Sequence, residues 1–228
     1  MPKFSPRLAI LPDAQRRLWT ELSALPDEFT LYGGTALALH LGHRKSVDFD
    51  FFSNRGIDVS SLESDIPFLA GAKVIQRAKN TLSAIVDRGA PVQVSFFGVP
   101  KLPRLAPPVN AQDNGLKIAS LLDLAGTKAS VIQVRGESKD YIDMDALIHK
   151  GGVSLPFALA AAEKLYGPSF NAEITLKALS YFDDGDLRDL PTDLKFRLAA
   201  AVNSVDLGHL PSLSDFTPGK TQDRGLDP

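Results

Sequence analysis

The chain contains no cysteine. Disulfide bonds, zinc–thiolate sites and thiol nucleophiles are therefore excluded as sources of its stability or chemistry. It also lacks an apolar run long enough to cross a membrane, and its N-terminus lacks the charged and apolar order of a signal peptide. Neither a P-loop nor a G-x-G-x-x-G motif occurs, which argues against P-loop ATPases and Rossmann enzymes. We expect a cytoplasmic protein with no membrane partner.

An excess of charge is also missing, because 25 Lys and Arg residues nearly balance 27 Asp and Glu residues, for a formal net charge of -2. A global attraction to nucleic acid is excluded, so any RNA contact needs a local basic patch. With 228 residues, 44% of them hydrophobic, the chain can bury a substantial core in one or two domains.

A short apolar run, a glycine pair and a run of helix formers follow one another in the segment LYGGTALALHL, which starts at Leu31. Gly33 and Gly34 allow a sharp turn at the end of a predicted strand. Thr35 is the predicted N-cap of the helix that follows, and Gly42 is predicted to close that helix. Because the amides of such a helix start point outward, the segment favours phosphate binding.

A second strand is predicted in the segment VDFDFF. In an extended strand, Asp48 and Asp50 share one face, whereas Val47, Phe49 and Phe51 face the opposite, buried side. Two neighbouring carboxylates repel each other unless a cation lies between them, and ligands with only oxygen donors suit Mg²⁺ or Mn²⁺. A lone glycine pair or a lone D-x-D is more often structural. The combination places both motifs at one end of one sheet, so we predict a nucleotide and metal site.

These motifs resemble the signature of the nucleotidyltransferase (DNA polymerase beta-like) superfold, and specifically its AbiEii/AbiGii toxin branch. That branch typically has GGTxLxL followed by R-x-S-x-D-x-D-F. The matching residues here are Gly33, Gly34, Thr35, Leu37, Leu39, Arg44, Ser46, Asp48, Asp50 and Phe51. A second block of the branch, K-x-x-A…R…K/R-D-x-x-D-x-x-x-L, is matched by Lys128, Arg135, Lys139, Asp140 and Asp143. Together the two blocks and the strands between them span most of residues 29–150.

The resemblance implies an α/β (α+β) nucleotidyltransferase fold, in which a small mixed β-sheet flanked by helices is followed by a C-terminal helical domain. We expect a nucleotidyltransferase domain with an N-terminal helix over residues 1–110 and a helical domain that completes the active site over residues 111–210. The proline-rich stretch 101–110 is a predicted linker, and a helix is predicted from Leu116. Residues 211–228, rich in Pro, Gly, Asp and Ser, are predicted to form a flexible tail.

The resemblance also implies an activity. It is the transfer of an NMP from an NTP substrate to an acceptor, with Mg²⁺ or Mn²⁺ as cofactor, and the expected acceptor is a tRNA 3′ end. The enzyme would be the toxin of a type IV, abortive-infection-like toxin–antitoxin system with a separately encoded antitoxin. The predicted catalytic residues are Asp48, Asp50, Lys128 and Asp140, and the two metal ligands among them are Asp48 and Asp50. The predicted nucleotide-binding residues are Gly33, Gly34, Thr35, Arg44, Ser46 and Lys128.

Arg135 and Lys139 are implied phosphate or RNA contacts. Spacing alone leaves another interpretation open for this second block, because acids in a first helical turn stabilise the helix and helical lysines are usually solvated. Asp140 and Asp143 lie three residues apart and share one helical face.

One position departs from the family pattern. Members often carry a third acid on a later strand, and in this chain Ser95 falls in that place. Either the alignment is shifted, or Asp87 or water substitutes, or Asp48 and Asp50 hold the metal alone. Ser95 therefore also permits a catalytically impaired nucleotide-binding or protein-interaction module. Relatives on the superfold that modify small molecules or proteins give a third possibility.

Overall fold

The computed structural model describes residues 3–217. The chain divides into two compact units with the boundary between Ser120 and Leu121. The sequence placed this boundary at 110/111, but residues 109–111 and 117–118 form two strands that pair with each other in the sheet of the first unit. Among the described helices, none is both long and apolar enough to cross a membrane.

In the described part of the chain, the first unit is built on a mixed sheet of eight strands. The strands are β1 (Lys3–Phe4), β2 (Thr30–Tyr32), β3 (Asp48–Ser53), β4 (Lys73–Ala78), β5 (Thr81–Asp87), β6 (Pro91–Gly98), β7 (Val109–Ala111) and β8 (Lys117–Ile118). Their spatial order is β1-β7-β8-β2-β3-β6-β5-β4. Strand β3 is antiparallel to β2 and parallel to β6. The end of β2 therefore lies beside Asp50, in the first half of β3, and Asp50 in turn lies beside Ser95 of β6.

Three α-helices of this unit are α1 (Asp13–Trp19), α2 (Gly33–Leu41) and α3 (Val59–Asp65). Helix α2 begins at Gly33, so the prediction that Thr35 is its N-cap is wrong. The Thr35 hydroxyl donates to the backbone carbonyl of Asp48 instead of bonding to the amides of its own helix. Gly42 ends α2 in the left-handed region, with a φ of 62°, as the sequence predicted.

The core of this unit lies on one face of β3. Phe49 and Phe51 are fully buried, whereas Asp48 and Asp50 lie on the opposite face and remain partly exposed. The two phenylalanine rings stack with centroids 6.2 Å apart, and burying each contributes roughly 1.5–3 kcal/mol. The prediction that Val47 is buried is wrong, because it precedes the strand and is 52% exposed.

The second unit is helical. Its α-helices are α4 (Leu121–Val134), α5 (Ser138–His149), α6 (Leu155–Tyr166), α7 (Ala172–Leu179) and α8 (Thr192–Asn203). The helix predicted from Leu116 begins at Leu121, because the residues before it form β8. Gly126 lets α4 approach α6 closely, since a Cβ there would lie 3.0 Å from the Cβ of Ala161.

Most of the predicted flexible tail, residues 218–228, lies outside the described residues. Within its first part, the ring of Phe216 packs edge-on against Phe157 with centroids 5.3 Å apart.

Candidate active site

The turn between β2 and α2 brings polar side chains against two glycines. Gly33 has a φ of +72°, and a Cβ at this position would lie 2.6 Å from Asp50 Oδ2. At Gly34, the atoms nearest to a Cβ would be Arg44 Nη2 and, at 3.3 Å, Ser46 Oγ. A carboxylate, a guanidinium group and a hydroxyl group therefore meet at the N-terminus of α2, in space that only glycine leaves open.

Thr35 ties α2 to the start of β3. Its side chain is buried, its hydroxyl lies 2.9 Å from Ser46 Oγ, and it donates to the Asp48 carbonyl. These bonds fix the backbone that carries Asp48 relative to the glycine turn. The hydroxyl is satisfied within the protein, and its predicted contact with nucleotide stays a prediction.

The two acids of β3 have neutral neighbours on the adjacent strand. In the parallel pairing of β3 with β6, Asp48 lies opposite Gln93 and Asp50 lies opposite Ser95. Cross-strand partners share a face of the sheet. Ser95 therefore occupies the position beside Asp50 where the family pattern led us to look for a third acid.

Asp87 does not substitute for that acid. It pairs with Pro91 at the far end of the β5–β6 hairpin, and residues 91–95 span about 13 Å of extended strand. Its carboxylate accepts a hydrogen bond from the Gly89 amide at 2.7 Å. Within residues 3–217 there is no group of three or more histidine or acidic side chains that could hold a metal ion.

Asp48 and Asp50 nevertheless fit a divalent cation that is shared with a substrate. Mg²⁺ usually keeps several waters and binds through one or two carboxylates together with substrate phosphates. Both carboxylates lie on one partly exposed face, and Asp50 reaches the glycine turn where phosphate is expected. The donor set therefore suits Mg²⁺ or Mn²⁺ bound together with a nucleotide.

In the helical unit, the second sequence block forms a buried ion cluster. Lys128 Nζ lies 2.6 Å from both Asp140 Oδ1 and Asp143 Oδ2, and Arg135 Nε lies 2.8 Å from Asp140 Oδ2. Lys128 is 6% exposed, and the two aspartates are fully buried. Buried charges need such pairing, because an unpaired one would keep its full desolvation cost. The interpretation as a solvated lysine with helix-capping acids does not hold.

Arg135 and Lys139 border this cluster on its solvent side. The Arg135 side chain is 44% exposed and that of Lys139 is 50% exposed. Lys139 Nζ also lies 2.7 Å from Glu137 Oε2. Both cations keep the exposure that a contact with phosphate or RNA requires, and that contact stays a prediction.

Two residues beside the acids were not singled out from the sequence. Gln93 lies next to Asp48, and Ser83 donates to Ser95 Oγ at 3.1 Å. Alternation of apolar and polar residues shows which face of a strand a residue occupies. It does not give the register between strands that are distant in sequence, so no signal in the single sequence identifies these neighbours.

Comparison with known proteins identifies the family and the fold of the chain. The family model described as nucleotidyl transferase AbiEii toxin, type IV TA system, matches residues 17–215. An uncharacterized protein of Aquifex aeolicus (strain VF5) is 35% identical over 160 residues, which are 69% of this chain and 75% of that protein. A crystal structure of a candidate nucleotidyltransferase from H. pylori is 17% identical, with a TM-score of 0.50 over 83% of this chain and 90% of that one. At that identity the likeness shows the fold alone, and it confirms the predicted nucleotidyltransferase fold.

Proposed function

Because this chain belongs to the AbiEii nucleotidyl transferase toxin family of type IV toxin–antitoxin systems, we propose that it transfers an NMP from an NTP to a tRNA 3′ end. Its cofactor would be Mg²⁺ or Mn²⁺, and a separately encoded antitoxin would restrain its toxicity. The observation that carries the proposal is the meeting of Asp50 and Arg44 with the Gly33-Gly34 turn at the start of α2.

The start of α2 supplies the proposed phosphate site. The first amides of an α-helix have no acceptor within the helix, and the helix dipole favours an anion there. Arg44 adds a charge-assisted donor, and Ser46 adds a hydroxyl on the same side of the turn. We assign these two side chains to the β- and γ-phosphates of the NTP.

Asp48 and Asp50 would hold the divalent cation. When bound, the cation supplies positive charge to offset the negative charge that develops at the α-phosphate as pyrophosphate leaves. The protein contributes a fixed geometry, because Asp50 is packed over Gly33 and the backbone of Asp48 is held by Thr35. Catalysis of this kind depends on positioning more than on covalent chemistry.

In the helical unit, we propose that Lys128 offers a point charge to nucleotide phosphate and that Asp140 is a further catalytic residue. The short contacts within the buried cluster would keep both side chains in a single conformation. Arg135 and Lys139 are the proposed RNA contacts. Since the net charge of the chain is -2, RNA would have to be attracted locally by such residues.

The proposal is tested by incubating the purified protein with Mg²⁺, each radiolabelled NTP in turn and total bacterial RNA. We expect label on tRNA with the wild type and none with Asp48→Ala. Asp87→Ala is the matched control, because Asp87 lies on the same face of the sheet but away from the glycine turn. Expression of the same variants should stop growth only where label is transferred. Equal labelling by wild type and Asp48→Ala would contradict the mechanism.

Ser95 favours a second candidate, a nucleotide-binding module without turnover. It predicts that the protein retains NTP and Mg²⁺ but releases no pyrophosphate with any RNA. Pyrophosphate release with a small molecule or a protein, and none with RNA, would instead identify a different acceptor.

A further inference from the structure

A row of side chains crosses three strands beside the predicted cation site. Asp50 on β3 pairs with Ser95 on β6, and Ser95 pairs with Ser83 on β5. Neighbouring strands lie about 4.8 Å apart, so Ser95 is the position from which another ligand would reach a cation next to Asp50. The next row holds Asp48, Gln93 and Ile85 in the same order. Each row therefore offers one carboxylate, and both carboxylates belong to β3.

The two serines are buried and hydrogen-bonded to each other. Ser83 and Ser95 are 4% and 2% exposed, and the Ser83 hydroxyl donates to Ser95 Oγ. Neutral hydroxyl groups that are buried and bonded to each other have already compensated their desolvation. A serine is also a weak ligand for Mg²⁺ compared with an ionised carboxylate. The side chains of Ser95 and Ser83, next to Asp50 on this face of the sheet, are therefore uncharged.

The other acids considered in the sequence analysis already have hydrogen-bond or ionic partners. Asp87 accepts the Gly89 amide at the tip of the β5–β6 hairpin. In the helical unit, both carboxylate oxygens of Asp140 contact cations, and Asp143 contacts Lys128. A carboxylate already bound to a buried ammonium group would leave that group uncompensated if it turned to a metal.

We propose that the site binds a single divalent cation with its nucleotide, through Asp48 and Asp50, and that the Ser83–Ser95 pair stands where a second cation would need a carboxylate. Two divalent cations would bring four positive charges, of which the two carboxylates could balance two. Only the substrate phosphates would be left to balance the other two. Two-metal sites hold their ions about 3.5–4 Å apart, a separation at which mutual repulsion requires bridging anions. The inference rests on the proposed function and specifies its cofactor stoichiometry.

The test counts Mn²⁺ per bound nucleotide in the folded, full-length protein. The protein is mixed with an equimolar NTP analogue that cannot be cleaved between the α- and β-phosphates, and Mn²⁺ is titrated while its free EPR signal is recorded. Free Mn²⁺ gives a sharp signal that broadens when protein or nucleotide binds it, so the remaining signal gives the total bound amount. The same titration of the analogue without protein gives the share that the nucleotide binds by itself. We expect one Mn²⁺ per protein–nucleotide complex and a spectrum without coupling between manganese ions.

Ser95→Asp should raise the count to two and introduce spin coupling between the ions. Ser95→Asn is the matched control, because asparagine has nearly the same size as aspartate but carries no charge. The number of bound Mn²⁺ ions in this variant should stay at one. Asp48→Ala should bind no more Mn²⁺ than the nucleotide analogue binds without protein. If Ser95→Asp does not fold, the count for the wild type still decides the question.

Two coupled Mn²⁺ ions in the wild type would overturn the single-cation inference and leave the proposed function standing. If the wild type retains no analogue in the presence of Mn²⁺, the proposed function itself fails, and the inference fails with it.

Discussion

Asp50 lies so close to Gly33 that a Cβ on the glycine would stand 2.6 Å from Asp50 Oδ2. Gly33 also has a φ of +72°, in the left-handed region that side chains disfavour. Gly33 thus permits both the turn from β2 into α2 and the close approach of the Asp50 carboxylate to the start of that helix. The position links the local backbone to the chemistry proposed for the site.

Gly33→Ala should therefore lose both stability and nucleotide binding. The left-handed backbone alone costs roughly 1–2 kcal/mol, and displacement of Asp50 adds to it. Gly71→Ala is the matched control, because Gly71 has a φ of +75° and, apart from its chain neighbours, none of residues 3–217 comes within 4 Å of its Cβ position. Urea unfolding of both variants separates the two contributions. If Gly33→Ala and Gly71→Ala lose the same stability and nucleotide binding is unchanged, the displacement of Asp50 affects neither stability nor binding.

The features predicted well from the sequence are those set by neighbouring residues. The alternation in β3 put Phe49 in the core and Asp48 on the opposite face, because successive side chains of a strand point to opposite sides. Gly42 was recognised as a helix end, because it supplies a left-handed residue. These outcomes depend on the local chain alone.

The errors arose where tertiary contacts decide. Thr35 is a good N-cap residue by type, but a carbonyl on the next strand takes its hydroxyl. Ile118 continues an apolar pattern into α4, yet pairing with the sheet makes Lys117 and Ile118 a strand. The pairing of Lys128 with two buried aspartates needs the packing of α4 against α5, which spacing cannot supply.

Thr35→Val should destabilise the protein by about 1–3 kcal/mol, since it removes a donor from the partly buried Asp48 carbonyl while the shape of the side chain is kept. Nucleotide transfer should fall as well, because the bond holds the backbone of Asp48. Thr127→Val serves as the control, since the Thr127 hydroxyl donates to the Leu124 carbonyl within its own helix. Unfolding free energies and transfer rates are measured for both variants. A Thr35 variant as active as the control would argue against the positioning role.

His40 should make stability depend on pH. Burial lowers its pKa below the ordinary value of 6.5, and the bond of Nε2 to the Ala119 carbonyl, 2.9 Å long, offsets this only in part. The unfolded chain therefore binds the proton more readily than the folded one, so stability rises with pH in this range. The contribution is complete above pH 6.5 and is lost as the pH falls through the lower folded-state pKa.

His40→Gln is the control for this dependence, because glutamine keeps a donor for the Ala119 carbonyl and does not titrate. Urea unfolding between pH 5 and pH 8 should show a smaller pH slope for the variant than for the wild type. Identical slopes would assign the dependence to other groups.

Lys128→Met tests whether the buried cluster serves stability, phosphate binding or both. Removing the ammonium group leaves Asp140 and Asp143 without their shared cation, which should cost about 3–5 kcal/mol. Lys139→Met breaks a half-exposed pair with Glu137 and should cost less than about 1 kcal/mol. Urea unfolding gives both values. A small loss for Lys128→Met would mean that the cluster relaxes or takes in water.

The double variant Lys128→Met/Asp143→Asn separates the two roles. Neutralising Asp143 leaves Asp140 with Arg135 as its partner, so part of the stability should return. If Lys128 acts only within the cluster, nucleotide binding should return with stability. If the charge of Lys128 contacts phosphate, as proposed, the double variant should still bind NTP more weakly than the wild type although its stability is partly restored. Titration of NTP binding to the double variant and to the wild type distinguishes the two cases.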